Sequence, residues 1–345
     1  MAQQGNVRQP PALPQGEAAR DFWQRHWPNA VLVLRALALA AVVAGFLHAS
    51  GAYATELDFL FVVILFVLTL RDRELGFIAT LAVLAWPLFR LSPALMLLGL
   101  VPLLAARARI VEHLPWALLV VVSPVLAEWQ LVALAPLLAG VLAGPRAGMW
   151  SGLIAALWLK LVAGLAGVAV PELGALHGVL LPLEQIATRA EIVGVRGVPA
   201  LLLGPLGGSL SLFALHLLQV LAWGGAGWIA GQLRQLQWNG QAPGWPLVHV
   251  LAAPLLLLWG SIYLLPSVVG WQPWDTFLRY PGPTVGLAVA GLAAALVVTL
   301  HDTVQEGMSG RVRRRGYVET YRVPGLAVTD ASADDDEEPL LLELE

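Results

Sequence analysis

Residues 144–167 read GPRAGMWSGLIAALWLKLVAGLAG, and every fourth position from 144 gives Gly144, Gly148, Gly152, Ala156, Lys160 and Gly164. Side chains four apart share one face of a helix, so the stretch predicts a helix with a stripe of small residues interrupted by a single cation. Such stripes let helix backbones approach closely where lipid offers no hydrophobic drive for association. The stripe must therefore face protein, within a membrane.

The whole chain agrees. Of its 345 residues, 58% are hydrophobic and 12% charged, and the mean hydropathy is +0.73. Soluble domains run near about 45–50% apolar and about 25% charged. The expected fold class is all-α: a polytopic transmembrane helical bundle. With no cysteine, a disulfide framework, a zinc finger and an iron–sulfur cluster are excluded. There is no basic domain for nucleic acid, and no cofactor is implied. The obligatory partner is the lipid bilayer.

Apolar spans fall at about 29–49, 58–70, 75–90, 94–106, 115–127, 130–144, 148–170, 206–231, 245–265 and 284–301, ten in all. Five of the early spans are shorter than the roughly 17 residues a full crossing needs, and Pro87, Pro93, Pro102, Pro124 and Pro136 lie in or beside them. Some of these five are therefore expected as hairpin halves, re-entrant pieces or pieces merged with their neighbours. If the ten spans start with the N-terminus inside, 14 arginines fall on the cytoplasmic side and 4 outside, which the positive-inside rule favours. Only one of the 20 basic residues is lysine. Such an arginine-rich composition suggests a bacterial protein, placed in the inner (plasma) membrane.

The expected organisation is a cytoplasmic tail over 1–28, a first transmembrane subdomain over 29–170, an external amphipathic segment over 171–205, a second transmembrane subdomain over 206–301, and an acidic cytoplasmic tail over 302–345. Within 171–205, Thr188 and Glu191 have the T-x-x-E spacing of a capping box. Residues 266–283 carry Trp271, Trp274 and Tyr280, suited to the headgroup layer. Arg311, Arg313, Arg314 and Arg315 form a topogenic stop. Beyond them DASADDDEEPLLLELE is too charged to order itself, and its closing PLLLELE has the composition of a docking segment for a cytoplasmic protein partner.

The candidate chemistry sits in the spans. Lys160 lies twelve residues into its span, about 18 Å deep at 1.5 Å per residue, near the bilayer midplane. A lysine there is costly and either pairs or lines a polar site. Glu128, Glu172, Glu184 or a bound anion are its candidate partners. His216 and Gln219 lie near the centre of the eighth span, with His216 on the side of Gly227. They either hydrogen-bond a neighbouring helix or take part in a proton or ligand site. The candidate ligand-binding set is Lys160, His216, Gln219 and Glu128. Arg35 is shallower and expected to snorkel, and His249 lies nearer an edge. No metal-binding, P-loop or nucleophile-elbow motif occurs, so no enzyme activity is expected.

Residues 136–158, PLLAGVLAGPRAGMWSGLIAALW, with their Gly144-Pro145-x-x-Gly148 turn, resemble the helix–turn–helix element of substrate-binding membrane subunits of energy-coupling-factor transporters. The same element resembles the polytopic membrane region attached to some bacterial serine/threonine kinases. The first resemblance implies a membrane protein that binds or transports a small molecule. The second implies a non-catalytic module that recruits a cytoplasmic signalling or assembly partner.

Overall fold

The computed structural model describes residues 15–167, 183–204, 208–238, 247–270 and 281–318, together with 274, 277 and 278. Among these the chain is helical throughout, with no strand. Six helical segments are long and apolar enough to cross a bilayer: Asn29–Ser50, Arg73–Leu91, Pro145–Ala166, Leu210–Trp238, Leu247–Ser267 and Gly282–Thr303.

Helix α1 (Gln15–Ser50) runs unbroken through the position where a tail was expected to end. Helices α2 (Thr55–Arg71) and α3 (Arg73–Leu91) are joined by Asp72 alone. Its side chain accepts from the backbone N–H of Glu74 at 2.8 Å and of Leu75 at 3.2 Å, satisfying two of the donors a helix start leaves open. Gly76 lets α3 lie directly on Thr69 of α2, since a Cβ there would come within 2.6 Å of the Thr69 Cα. Leu39, Val43, Leu47 and Leu65 close α1 onto α2. In the α1–α2 turn, the Tyr53 hydroxyl donates to the Val83 carbonyl at 3.0 Å. Burial, and then the Asp58 carboxylate, push its phenol pKa up.

The short spans behave unequally. Helix α4 (Pro93–Ala105) is continuous. A short helix α5 (Arg107–Glu112) precedes the expected span at 115–127, which is itself broken into α6 (Leu114–Val121) and α7 (Ser123–Glu128). Pro115 and Pro124 occupy the openings of α6 and α7, where a missing N–H costs nothing but the preceding helix cannot continue. Helix α8 (Leu134–Ala143) follows, and Gly144, at φ 93°, turns the chain into α9 (Pro145–Ala166). A side chain at 144 would be strained in that conformation.

Helix α10 (Leu183–Leu203) kinks at Gly194, where φ is 63°. Thr188 lies inside it, so the capping-box expectation was wrong: the helix is already under way by Leu183, five residues upstream. Residues 171–182 lie outside the described residues, as do Trp271 and Tyr280. Trp274 is exposed while stacking on Phe277.

Helices α11 (Leu210–Trp238), α12 (Leu247–Tyr263) and α13 (Gly282–Val318) complete the bundle. Helix α13 continues to Val318, past residue 302 where the acidic tail was expected to begin. Extending a helix already nucleated in the membrane adds one hydrogen bond per residue fixed. The acidic stretch from 319 lies outside the described residues. One core takes residues from both sides of the expected subdomain division, among them Leu137, Leu159, Trp223, Leu258 and Ala290. Helices α9 and α11 form its most extensive pair.

Candidate functional site

The stripe read from the sequence is the seam between α9 and α11. A Cβ added to Gly148 would collide with the Gly227 carbonyl, one at Gly152 with the Trp223 carbonyl, and one at Gly231 would come within 2.6 Å of the Pro145 Cα. Each step of about four residues up α9 is matched by a similar step down α11, so the two helices are antiparallel and touch backbone to backbone. Gly140 of α8 joins the same junction, since its Cβ would collide with the Gly227 carbonyl. The Ser151 hydroxyl donates to the Ala135 carbonyl at 3.1 Å, tying α9 to α8.

About two turns further along the seam stands Lys160. It is 1% exposed, and its Nζ lies 2.7 Å from His216 Nδ1 and donates to Gln219 Oε1 at 2.7 Å. Gln219 cannot turn its amide round freely, because Nε2 donates to the Ser261 carbonyl of α12 at 3.2 Å. The third helix therefore aims the glutamine oxygen at the ammonium. With Nζ as donor, Nδ1 accepts and the imidazole carries its proton on Nε2. Two adjacent cations at this spacing would repel by roughly 6 kcal/mol even at an effective dielectric of about 20. The pair therefore holds at most one positive charge.

Three of the four expected site residues thus meet in one cluster. The fourth, Glu128, ends α7, and its side chain lies outside the described residues, as do those of Glu172 and Glu184. Among the described residues no carboxylate pairs with Lys160. Sequence reasoning missed Ser261, which acts through a backbone carbonyl and leaves no residue-type signal. It also missed Trp223, one turn from Gln219, which is fully buried with its indole N–H unpartnered among the described residues.

The expected snorkelling Arg35 is half-buried, its Nε without a partner among the described residues, and His249 is exposed on α12. A second polar feature was not anticipated. Arg234, 3% exposed, forms an ion pair with Asp302 of α13, donates to Gln237 Oε1 at 2.6 Å and lies 4.7 Å over the Trp238 ring.

Compared with known proteins, the chain matches no family model, no curated protein and no solved structure. The apolar helices make it a multi-pass membrane protein.

Proposed function

We propose that the protein binds, and moves across the membrane, a small solute carrying negative charge, at a polar midplane site centred on Lys160. The observation that carries this reading is a lysine buried within an apolar segment long enough to cross a membrane, whose hydrogen-bonding neighbours among the described residues are His216 and Gln219. An intramembrane cation is expensive, and an anionic ligand would offset the charge that these groups leave uncompensated. Resemblance to the substrate-binding subunits of transporters points the same way.

In this proposal the chain crosses ten times with both termini in the cytoplasm of a bacterial cell. The six long segments are joined by α2, α4, the broken α6–α7 and α8 as shorter crossings. The glycine seam clamps the cytoplasmic halves of α9 and α11. Solute reaches Lys160 when the two helices part on the external side, in the manner of repeats or bundles rocking about a fixed site. A second reading, a membrane module that recruits a cytoplasmic partner through its tail, is favoured by the continuation of α13 to Val318, well past the apolar segment that ends at Thr303.

A melting screen of the purified protein against small carboxylates, phosphates and amino acids tests the proposal. Ligands that bind only the folded state raise the melting temperature by mass action. At least one anion should do so in the wild type and none in Lys160→Met, with the two melting alike without ligand. A Met variant that melts far lower, rescued by neutralising Glu128, Glu172 or Glu184, would make Lys160 a structural charge and defeat the proposal.

A further inference from the structure

An open cleft of about 320 Å³ lies between the α8–α9 turn and α11, lined by Ala143, Gly144, Pro145, Arg146, Trp228, Gln232 and Gln235. At its floor the backbones of Gly231 and Pro145 are in close contact. Its polar lining is rich in donors: a guanidinium, two carboxamides and an indole N–H, with no acidic residue among the described residues. Among the described residues none of Arg146, Gln232 or Gln235 makes a hydrogen bond or ion pair. Pro145 begins one apolar segment and Gln235 lies in the last turn of another, so the cleft sits at the level of lipid headgroups.

We propose that this cleft binds the phosphate of an anionic phospholipid headgroup. Arg146 supplies the charge and a two-pronged donor geometry suited to phosphate. The glutamine amides donate to the remaining oxygens, and their carbonyls accept from headgroup hydroxyls. Trp228, 45% exposed, lies where indoles favour the membrane interface. The site is separate from Lys160 and stands whether or not that residue handles solute.

The test is a melting titration of the full chain in detergent with short-chain phosphatidylglycerol, short-chain phosphatidylcholine, inorganic phosphate and glycerol phosphate as probes. Phosphatidylglycerol should raise the melting temperature, and Arg146→Ala should need about tenfold more lipid for the same shift, the fold-change expected from one lost charge-assisted contact. Gln235→Ala should weaken it in the same direction. Arg71→Ala, at an exposed helix end elsewhere, should respond like the wild type, as should any contribution from Arg311 to Arg315. If the soluble phosphates give the same Arg146-dependent shift, the phosphate site stands and its ligand is a soluble one. Equal shifts in wild type and Arg146→Ala, equal losses in Arg146→Ala and Arg71→Ala, or no shift with any probe would overturn the proposal.

Discussion

Lys160 Nζ and His216 Nδ1, 56 residues apart in the chain, meet at 2.7 Å with Lys160 almost wholly buried. The meeting follows from the glycine seam. Backbones that touch at Gly148 and Gly227 carry α9 and α11 in antiparallel register to the next polar pair. Gln219, held by the Ser261 carbonyl, completes the cluster. The seam and the cluster are one construction, and they fail separately under different substitutions.

Filling the seam should unfold the bundle before it disturbs the chemistry. Gly148→Leu and Gly227→Leu each drive a side chain into the facing backbone, where overpacking costs typically about 1–3 kcal/mol and more when backbone must move. Melting in detergent should fall markedly for both. Gly45→Leu, with open space at its Cβ, should melt close to wild type.

Replacing Gln219 with glutamate should separate stability from binding. A carboxylate at that position would pair with Lys160 across the same 2.7 Å and neutralise the cluster. Gln219→Glu forfeits the Nε2 donor to the Ser261 carbonyl but gains the ion pair, so it should melt near wild type while losing the anion-induced shift. Gln219→Leu leaves an ammonium N–H and the Ser261 carbonyl short of partners, at about 1–3 kcal/mol, and should melt lower.

The seam was legible in residues 144–167 because small residues at every fourth position have one use in a membrane. The polar cluster was half legible. The types and depths of Lys160, His216 and Gln219 marked them, but their meeting depends on helix register. The break at Pro124 was signalled as a proline in a short span, yet nothing in sequence said whether the helix would bend or stop, and Pro115 was not singled out. Ser261 was invisible, since any residue supplies a carbonyl. Arg234 read as a topogenic charge, and its partner Asp302, 68 residues away, read as tail.

That ion pair should fasten α11 to α13. Asp302 is one-third exposed while Arg234 is nearly buried, so solvent screens part of the interaction and Asp302→Asn should cost about 1–2 kcal/mol, between exposed and buried pairs. A double-mutant cycle of Arg234→Ala and Asp302→Ala, read by melting, should return a coupling of that order. Strict additivity would show that the two residues do not interact.

The proposed topology makes a cheap forecast, because the chain lacks native cysteine. Single cysteines at Gly51, Gly174 and Gln272 should react with an impermeant maleimide in intact cells, and those at Asp72, Gln237 and Ser309 should react only after lysis. Labelling at 237 but not at 174 in intact cells would reverse the orientation.

Lys160 is the chain's one lysine, so amine modification reports on it alone apart from the N-terminus. The decisive measurement is reductive methylation of the native protein in lipid nanodiscs, followed by mass spectrometry of the peptide containing residue 160. If α9 and α11 part to expose the site, Lys160 becomes dimethylated slowly under native conditions, and an anion found in the melting screen protects it. If Lys160 reacts only after the protein is denatured, it is sealed in a static core and the account of a working midplane site is wrong.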